Sequence, residues 1–153
     1  MRRLLSYLWA APATVPGLIC SSLALAGGEI RIVDGVVEAH GPALRWALRR
    51  LVPLRGGAAA ITLGHVVLAV SATALAETRA HERVHVCQYA RWGPLFLPAY
   101  VIASAGAWCR GEHVYFGNRF EREAHSVPGN VPAHAPRAAD AAARGRGASG
   151  SGA

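Results

Sequence analysis

Between Leu4 and Gly28 the chain carries no charged side chain. The 23 apolar or small residues from 4 to 26 would reach roughly 35 Å as a helix, enough to cross a bilayer. The pattern therefore predicts a membrane anchor over residues 1–28. Tyr7 and Trp9 near its start suit the interface, and Pro12 and Pro16 are tolerated in lipid. Ala24-Leu25-Ala26 also has the form of a signal-peptide cleavage site, but the apolar run is long for a signal sequence, which favours an uncleaved anchor.

After Gly28 the pattern shortens. Ile30-Arg31-Ile32-Val33 and Val36-Val37-Glu38 flank Asp34-Gly35, two β-branched runs around a strong hairpin signal. Gly41-Pro42 then opens a helix over residues 43–52, with Leu44, Ala47, Leu48 and Leu51 on one face and Arg45 and Arg49 off it; Pro53 stops it. Such a short basic helix suits anionic headgroups as well as it suits packing on the hairpin. Residues 61–68 read as one strand, with Gly64 a bulge or a close backbone approach. His65, a lone histidine on that apolar strand, is expected to be structural.

Residues 73–93 read as a helix. Ala74-Leu75-Ala76-Glu77 are good helix formers, Ser71 or Thr73 can cap the start, and Gly93-Pro94 ends it. Thr78, His81, His85, Gln88 and Trp92 recur every three or four residues and form a stripe, whereas Cys87 faces away from it. Residues 94–109 are a second apolar segment. Its uncharged stretch of 18 residues, 92–109, is at the lower limit for a span, and two prolines shorten the usable helix. Residues 118–124 read as a second helical cluster of acids. From Ser126 the sequence is rich in Pro, Ala, Gly, Ser and Arg without apolar periodicity, so residues 127–153 are expected to be a disordered tail.

Within the stripe stands His81-Glu82-Arg83-Val84-His85, an H-E-x-x-H motif. Side chains four apart on a helix lie one above the other, so both imidazoles can point at one zinc ion. Glu82 beside them is then placed to take a proton from water and act as general base. A third protein ligand is needed, with the fourth position left for water. The metzincin continuation is excluded, because Gln88 and Arg91 stand where it needs Gly and His.

Further on, Glu121-Arg122-Glu123-Ala124 supplies E-x-x-A. H-E-x-x-H with a later E-x-x-A resembles the gluzincin metalloproteases of membranes, the CAAX-processing and heat-stress type. That resemblance implies Glu121, 36 residues beyond His85, as the third zinc ligand; Glu123, His113 and His125 are the alternatives. His125 departs from the family, which has Asp there, and so alters the support around the metal. The resemblance covers the two motifs only. The wording from His81 to Tyr100 is also similar to a group of small bacterial membrane proteins, which implies no activity. In zincins a neighbouring strand edge binds substrate backbone, and residues 61–68 are the candidate. For the oxyanion donor, Tyr115, His113 and His125 are near enough to consider. A single crossing by residues 94–109 would part Glu121 from the histidines, so this segment is expected not to cross.

Composition adds little. The 153 residues allow one domain with appendages. A hydrophobic fraction of 52% and a mean hydropathy of +0.24 agree with membrane contact. The net charge of +7 comes wholly from arginine, and no RNA- or DNA-binding motif accompanies it, so lipid rather than nucleic acid is the expected partner. Three cysteines, Cys20, Cys87 and Cys109, are too few for a disulfide scaffold, although a Cys87–Cys109 bond stays open.

The expectation is thus an α+β, minimal zincin-like domain over residues 29–126 behind an N-terminal anchor, working as a zinc-dependent metallopeptidase. His81, His85 and Glu121 hold the metal, Glu82 is the base, and the substrates are peptides or membrane-protein segments near the bilayer. Arg2 and Arg3 against Arg31 favour a body outside the cytoplasm. The competing classes are a non-catalytic membrane protein, with a structural metal or none, and a basic lipid-binding module.

Overall fold

The computed structural model describes residues 2–52 and 57–127. Pro53 and all but the first residue of the expected tail lie outside the described residues. The described residues are α+β, with a four-stranded mixed sheet and five α-helices among them. In order these are α1 (Arg2–Ser21), β1 (Glu29–Val33), β2 (Val36–His40), α2 (Pro42–Arg50), β3 (Ala60–Leu63), β4 (Val66–Ala69), α3 (Ala72–Trp92), α4 (Phe96–Cys109) and α5 (Arg119–His125). Short 3-10 turns, Ser22–Leu25 and Gly93–Leu95, follow α1 and α3.

The sheet runs β1-β2-β4-β3, with β2 and β4 parallel and the outer pairs antiparallel. Asp34 and Gly35 both take positive φ, 52° and 79°, as the expected two-residue hairpin turn demands. Residues 61–68 are not one strand. They break into β3 and β4 around a turn at Gly64-His65, where Gly64 has φ 60° and a Cβ would run into Thr14. Gly64 is therefore a turn residue, not a bulge, and β3 becomes an edge strand. Helix α2 starts one residue earlier than expected, with Pro42 at its first position, and buries Leu44 and Leu48 against Ala24, Ala39, Val66 and Leu68.

Helix α1, with its following turn, contains a stretch from Leu4 to Leu25 that is long and apolar enough to cross a membrane by length and composition. It is also part of the fold. Ala10, Thr14, Gly17, Ser21 and Ala24 recur every three or four residues and form its inner face. Ala10 packs with Tyr89, Phe96 and Phe120, the Thr14 hydroxyl accepts from the His65 amide at 3.1 Å, and a Cβ on Gly17 would stand 2.9 Å from that of Val66.

Helix α3 begins at Ser71, whose hydroxyl accepts from the Ala74 amide at 3.1 Å, and ends at Gly93. With 14 residues, α4 is roughly 21 Å long, too short to span. The chain then turns back along it. Asn118 donates from its side chain to the Tyr100 carbonyl at 3.1 Å and the Ser104 hydroxyl at 2.8 Å, and its own oxygen caps α5 through the Phe120 amide at 2.9 Å. One side chain thus pins the return loop to α4 and starts the helix that carries Glu121. The three cysteines are free, Cys87 and Cys109 both exposed.

Candidate metal centre

The return of α5 against α3 brings His81, His85 and Glu121 together, all three buried. His81 Nε2 and His85 Nε2 are 3.1 Å apart; Glu121 Oε2 is 3.3 Å from the first and Oε1 is 3.4 Å from the second. The two imidazoles thus face different oxygens of one carboxylate, and one ligand atom from each residue lies within 4.8 Å of the others, close enough for the triangle to hold a metal ion. The donor set also carries unspent capacity. Among the described residues, Glu121 Oε2 and His81 Nδ1 are buried without a hydrogen-bond partner, a state that buried polar atoms rarely hold.

Gln88 decides which nitrogen of His85 faces the centre. Its amide NH2 donates to the Phe120 carbonyl at 3.1 Å and to Glu123 Oε2 at 2.9 Å, both of which can only accept. Its oxygen therefore faces His85 Nδ1 at 2.8 Å and receives that N–H. Whenever His85 is neutral its lone pair is therefore on Nε2, directed at the centre. The same amide ties α3 to the helix bearing Glu121.

Charge in the centre favours a cation. Burial alone would lower the pKa of His85, but the hydrogen bond and charge of Glu121 reverse this and raise it. For Glu121, burial works upward, yet the adjoining imidazoles of His81 and His85, 3.3 and 3.4 Å away, hold its carboxyl far below the usual range. Two hydroxyls border it. Tyr100 donates to Glu121 Oε1 at 2.7 Å, and Tyr115 Oη lies 3.5 Å from His81 Nε2. Burial first, then the Glu121 charge, pushes both phenols upward, so both stay protonated donors.

Glu82 lines the same half-enclosed cavity of about 360 Å³. Its Oε2 accepts from Thr62 Oγ1 of β3 at 2.6 Å, which fixes the carboxylate against the edge strand. Much of the remaining wall is apolar: Ala60, Ile61 and Leu63 of β3, and Phe96, Leu97 and Val101 from α4.

The other expected candidates fall elsewhere. Glu123 holds Gln88 and Arg91, and His113 accepts from the Tyr115 amide, so neither enters the triangle. His125 stacks edge-on to His81 at 4.8 Å between ring centroids, but its Nδ1 is taken by the Glu121 carbonyl at 2.6 Å. His65 lies buried under the Tyr7 ring, its pKa lowered by burial, a structural place as expected. Thr62 and Tyr100 were not foreseeable from spacing, and Gln88 was legible only as part of the helix stripe. The one signal for Tyr100 is a phenol in a largely apolar helix whose only other hydroxyl is Ser104. No protein-family model, curated protein or solved structure matches this chain.

Proposed function

We propose that the protein is a membrane-attached zinc-dependent metallopeptidase. The observation that carries this reading is the placement of Glu82 on the wall of one cavity with a three-donor group, beside the edge strand β3. Two imidazoles and a carboxylate suit zinc, with His81, His85 and Glu121 as ligands. The resemblance of the two motifs to membrane gluzincins supports the same assignment. When bound, zinc supplies a Lewis acid that brings the pKa of water close to neutrality.

The chain's own residues then divide the work. Thr62 occupies one oxygen of Glu82 and leaves Oε1 to accept a proton from water. The edge of β3 offers backbone groups to an extended peptide, and the apolar cavity takes a neighbouring apolar side chain. The Tyr115 hydroxyl is the donor for the carbonyl oxygen as it gains charge.

A second reading, a structural metal site, draws on one contact: the same Tyr115 hydroxyl, 3.5 Å from His81 Nε2, borders the position that water needs. One experiment separates the two. Purified wild-type protein is expected to carry about one zinc per chain by elemental analysis and to cleave members of a peptide library. Glu82→Gln keeps the zinc and loses at least ~100-fold in cleavage, whereas His81→Ala loses the zinc. Zinc retained in a wild type that cleaves nothing favours the structural site. A wild type that takes up no zinc ends both readings.

A further inference from the structure

We propose that α1 lies flat in one leaflet of an anionic bilayer and does not cross it. Length and composition alone allow a crossing; the packing of α1 does not. The sheet and α3 hold the helix from end to end. The Tyr7 hydroxyl donates to the Gly35 carbonyl at 2.8 Å, Trp9 packs on Gly93, Thr14 and Gly17 sit on the Gly64 turn and Val66, and Ala24 is buried beside Leu44. Were the helix axis to run through the hydrocarbon, the sheet beside it would go too. That sheet has open edges at β1 and β3 and exposed Asp34 and Glu29 on its hairpin. Unpaired strand edges and charges are not tolerated against acyl chains.

The outer face of α1 nevertheless needs cover. Leu4, Leu5, Leu8, Val15 and Ile19 are each more than half exposed. A contiguous apolar surface of this kind marks an interface. It continues onto α4 through the 3-10 turn that Trp9 touches, where Leu95, Leu97, Val101 and Ile102 are also more than half exposed. Lipid, not a second copy, is favoured by charge. Next to the end of α1, helix α2 exposes Trp46, Arg49 and Arg50, an aromatic and two cations suited to the headgroups of an anionic leaflet. This seat holds whether or not the cavity hydrolyses peptides. It also removes the basis for choosing a side by flanking charge, since both ends of α1 face the same compartment.

The test uses the full chain reconstituted in sealed vesicles of mixed phosphatidylcholine and phosphatidylglycerol. In a variant with Arg3→Cys and Glu29→Cys, and with Cys20, Cys87 and Cys109 replaced by serine, the outside is treated with one membrane-impermeant maleimide. The vesicles are then opened and treated with a second. A flat α1 yields molecules bearing two copies of the same label; a crossing helix yields one of each and overturns the proposal. Separately, Leu8→Glu with Ile19→Glu is expected to weaken vesicle binding at least ~100-fold at unchanged circular dichroism. Wild type should prefer anionic over neutral vesicles by about 30-fold. Equal binding to both, or a stable dimer in solution that ignores vesicles, would also sink the idea.

Discussion

Against each of two faces of helix α3 packs a buried acid from another element, and the two clusters are built for opposite ends. On one face Arg79 and Arg83, with Arg31 of β1, surround Glu38; on the other, His81 and His85 surround Glu121. Positions two apart on a helix differ by roughly 200°, which is why neighbouring residues serve different clusters. Around Glu38 everything is matched. Arg79 donates to both oxygens at 3.0 Å, Arg83 adds 3.2 Å, and three cations face one carboxylate. Around Glu121 the donors converge and one carboxylate oxygen, 3.3 Å from His81, makes no hydrogen bond. A saturated cluster stabilises a fold; an unsaturated, convergent one leaves capacity for a ligand.

The comparison breaks most visibly in metal affinity. Glu121→Ala removes one of the three candidate ligands and, on the proposed assignment, should weaken zinc binding at least ~1000-fold in a chelator competition. Glu38→Ala should leave the same number within about twofold. Comparable losses in both variants would mean that the two clusters are not separate in function.

Stability should rank them the other way. Removing Glu38 strands Arg79 and Arg83 near a buried position, and Glu38→Ala is expected to cost about 3 kcal/mol in denaturant unfolding of the metal-free protein. The pH dependence has a definite sign. Burial alone would raise the Glu38 pKa, but hydrogen bonds from Arg79 and the charges of Arg79, Arg83 and Arg31 outweigh it and hold it below the ordinary value. The native state thus binds the proton less readily than the unfolded chain. Its stabilisation is complete above about pH 4.3 and is lost as pH falls through the lowered value. Glu38→Gln should flatten that acid limb; an unchanged limb would assign it to other groups.

Much of this contrast could be read beforehand, for local reasons. The hairpin turn at Asp34-Gly35, the Ser71 cap, the Gly93 stop and the stacking of His81 on His85 each depend on residues within four positions of each other. Glu121 was reachable only through a resemblance, because its approach depends on Asn118 pinning a loop to α4. The split of residues 61–68 was hidden, since alternation looks the same in one strand and in two joined by a tight turn. The docking of α1 was hidden too. Its outer face is so apolar that the small residues opposite, from Ala10 to Ala24, leave no contrast in the pattern. Nothing local to Arg79 and Arg83 announces Glu38, which reaches them from a distant strand.

A subtler separation lies within the candidate metal cluster. Gln88 touches no ion, yet it sets the lone pair of His85 and holds α5 in place. Gln88→Leu should weaken zinc binding by about 10- to 100-fold, less than loss of a ligand. Gln88→Glu, which still accepts from His85 but cannot donate to Phe120 or Glu123, should fall between wild type and Gln88→Leu. Equal affinities in all three would make the glutamine a packing residue only.

The smallest effect should come from Thr62, which reaches the cavity from the sheet and not from α3. Its hydroxyl donates to Glu82 and to no ligand of the metal. Thr62→Val keeps the shape and leaves Glu82 Oε2 without its donor, so the carboxylate gains a rotamer it did not have. Zinc affinity should stay within about twofold, and unfolding should shift by about 1 kcal/mol. If Glu82 is the proton acceptor, turnover should fall about tenfold with little change in KM, because orientation of the base matters only as the proton moves. A Thr62→Val variant with unaltered turnover would show that β3 does not aim the carboxylate, and would leave Glu82 a buried acid held by the sheet.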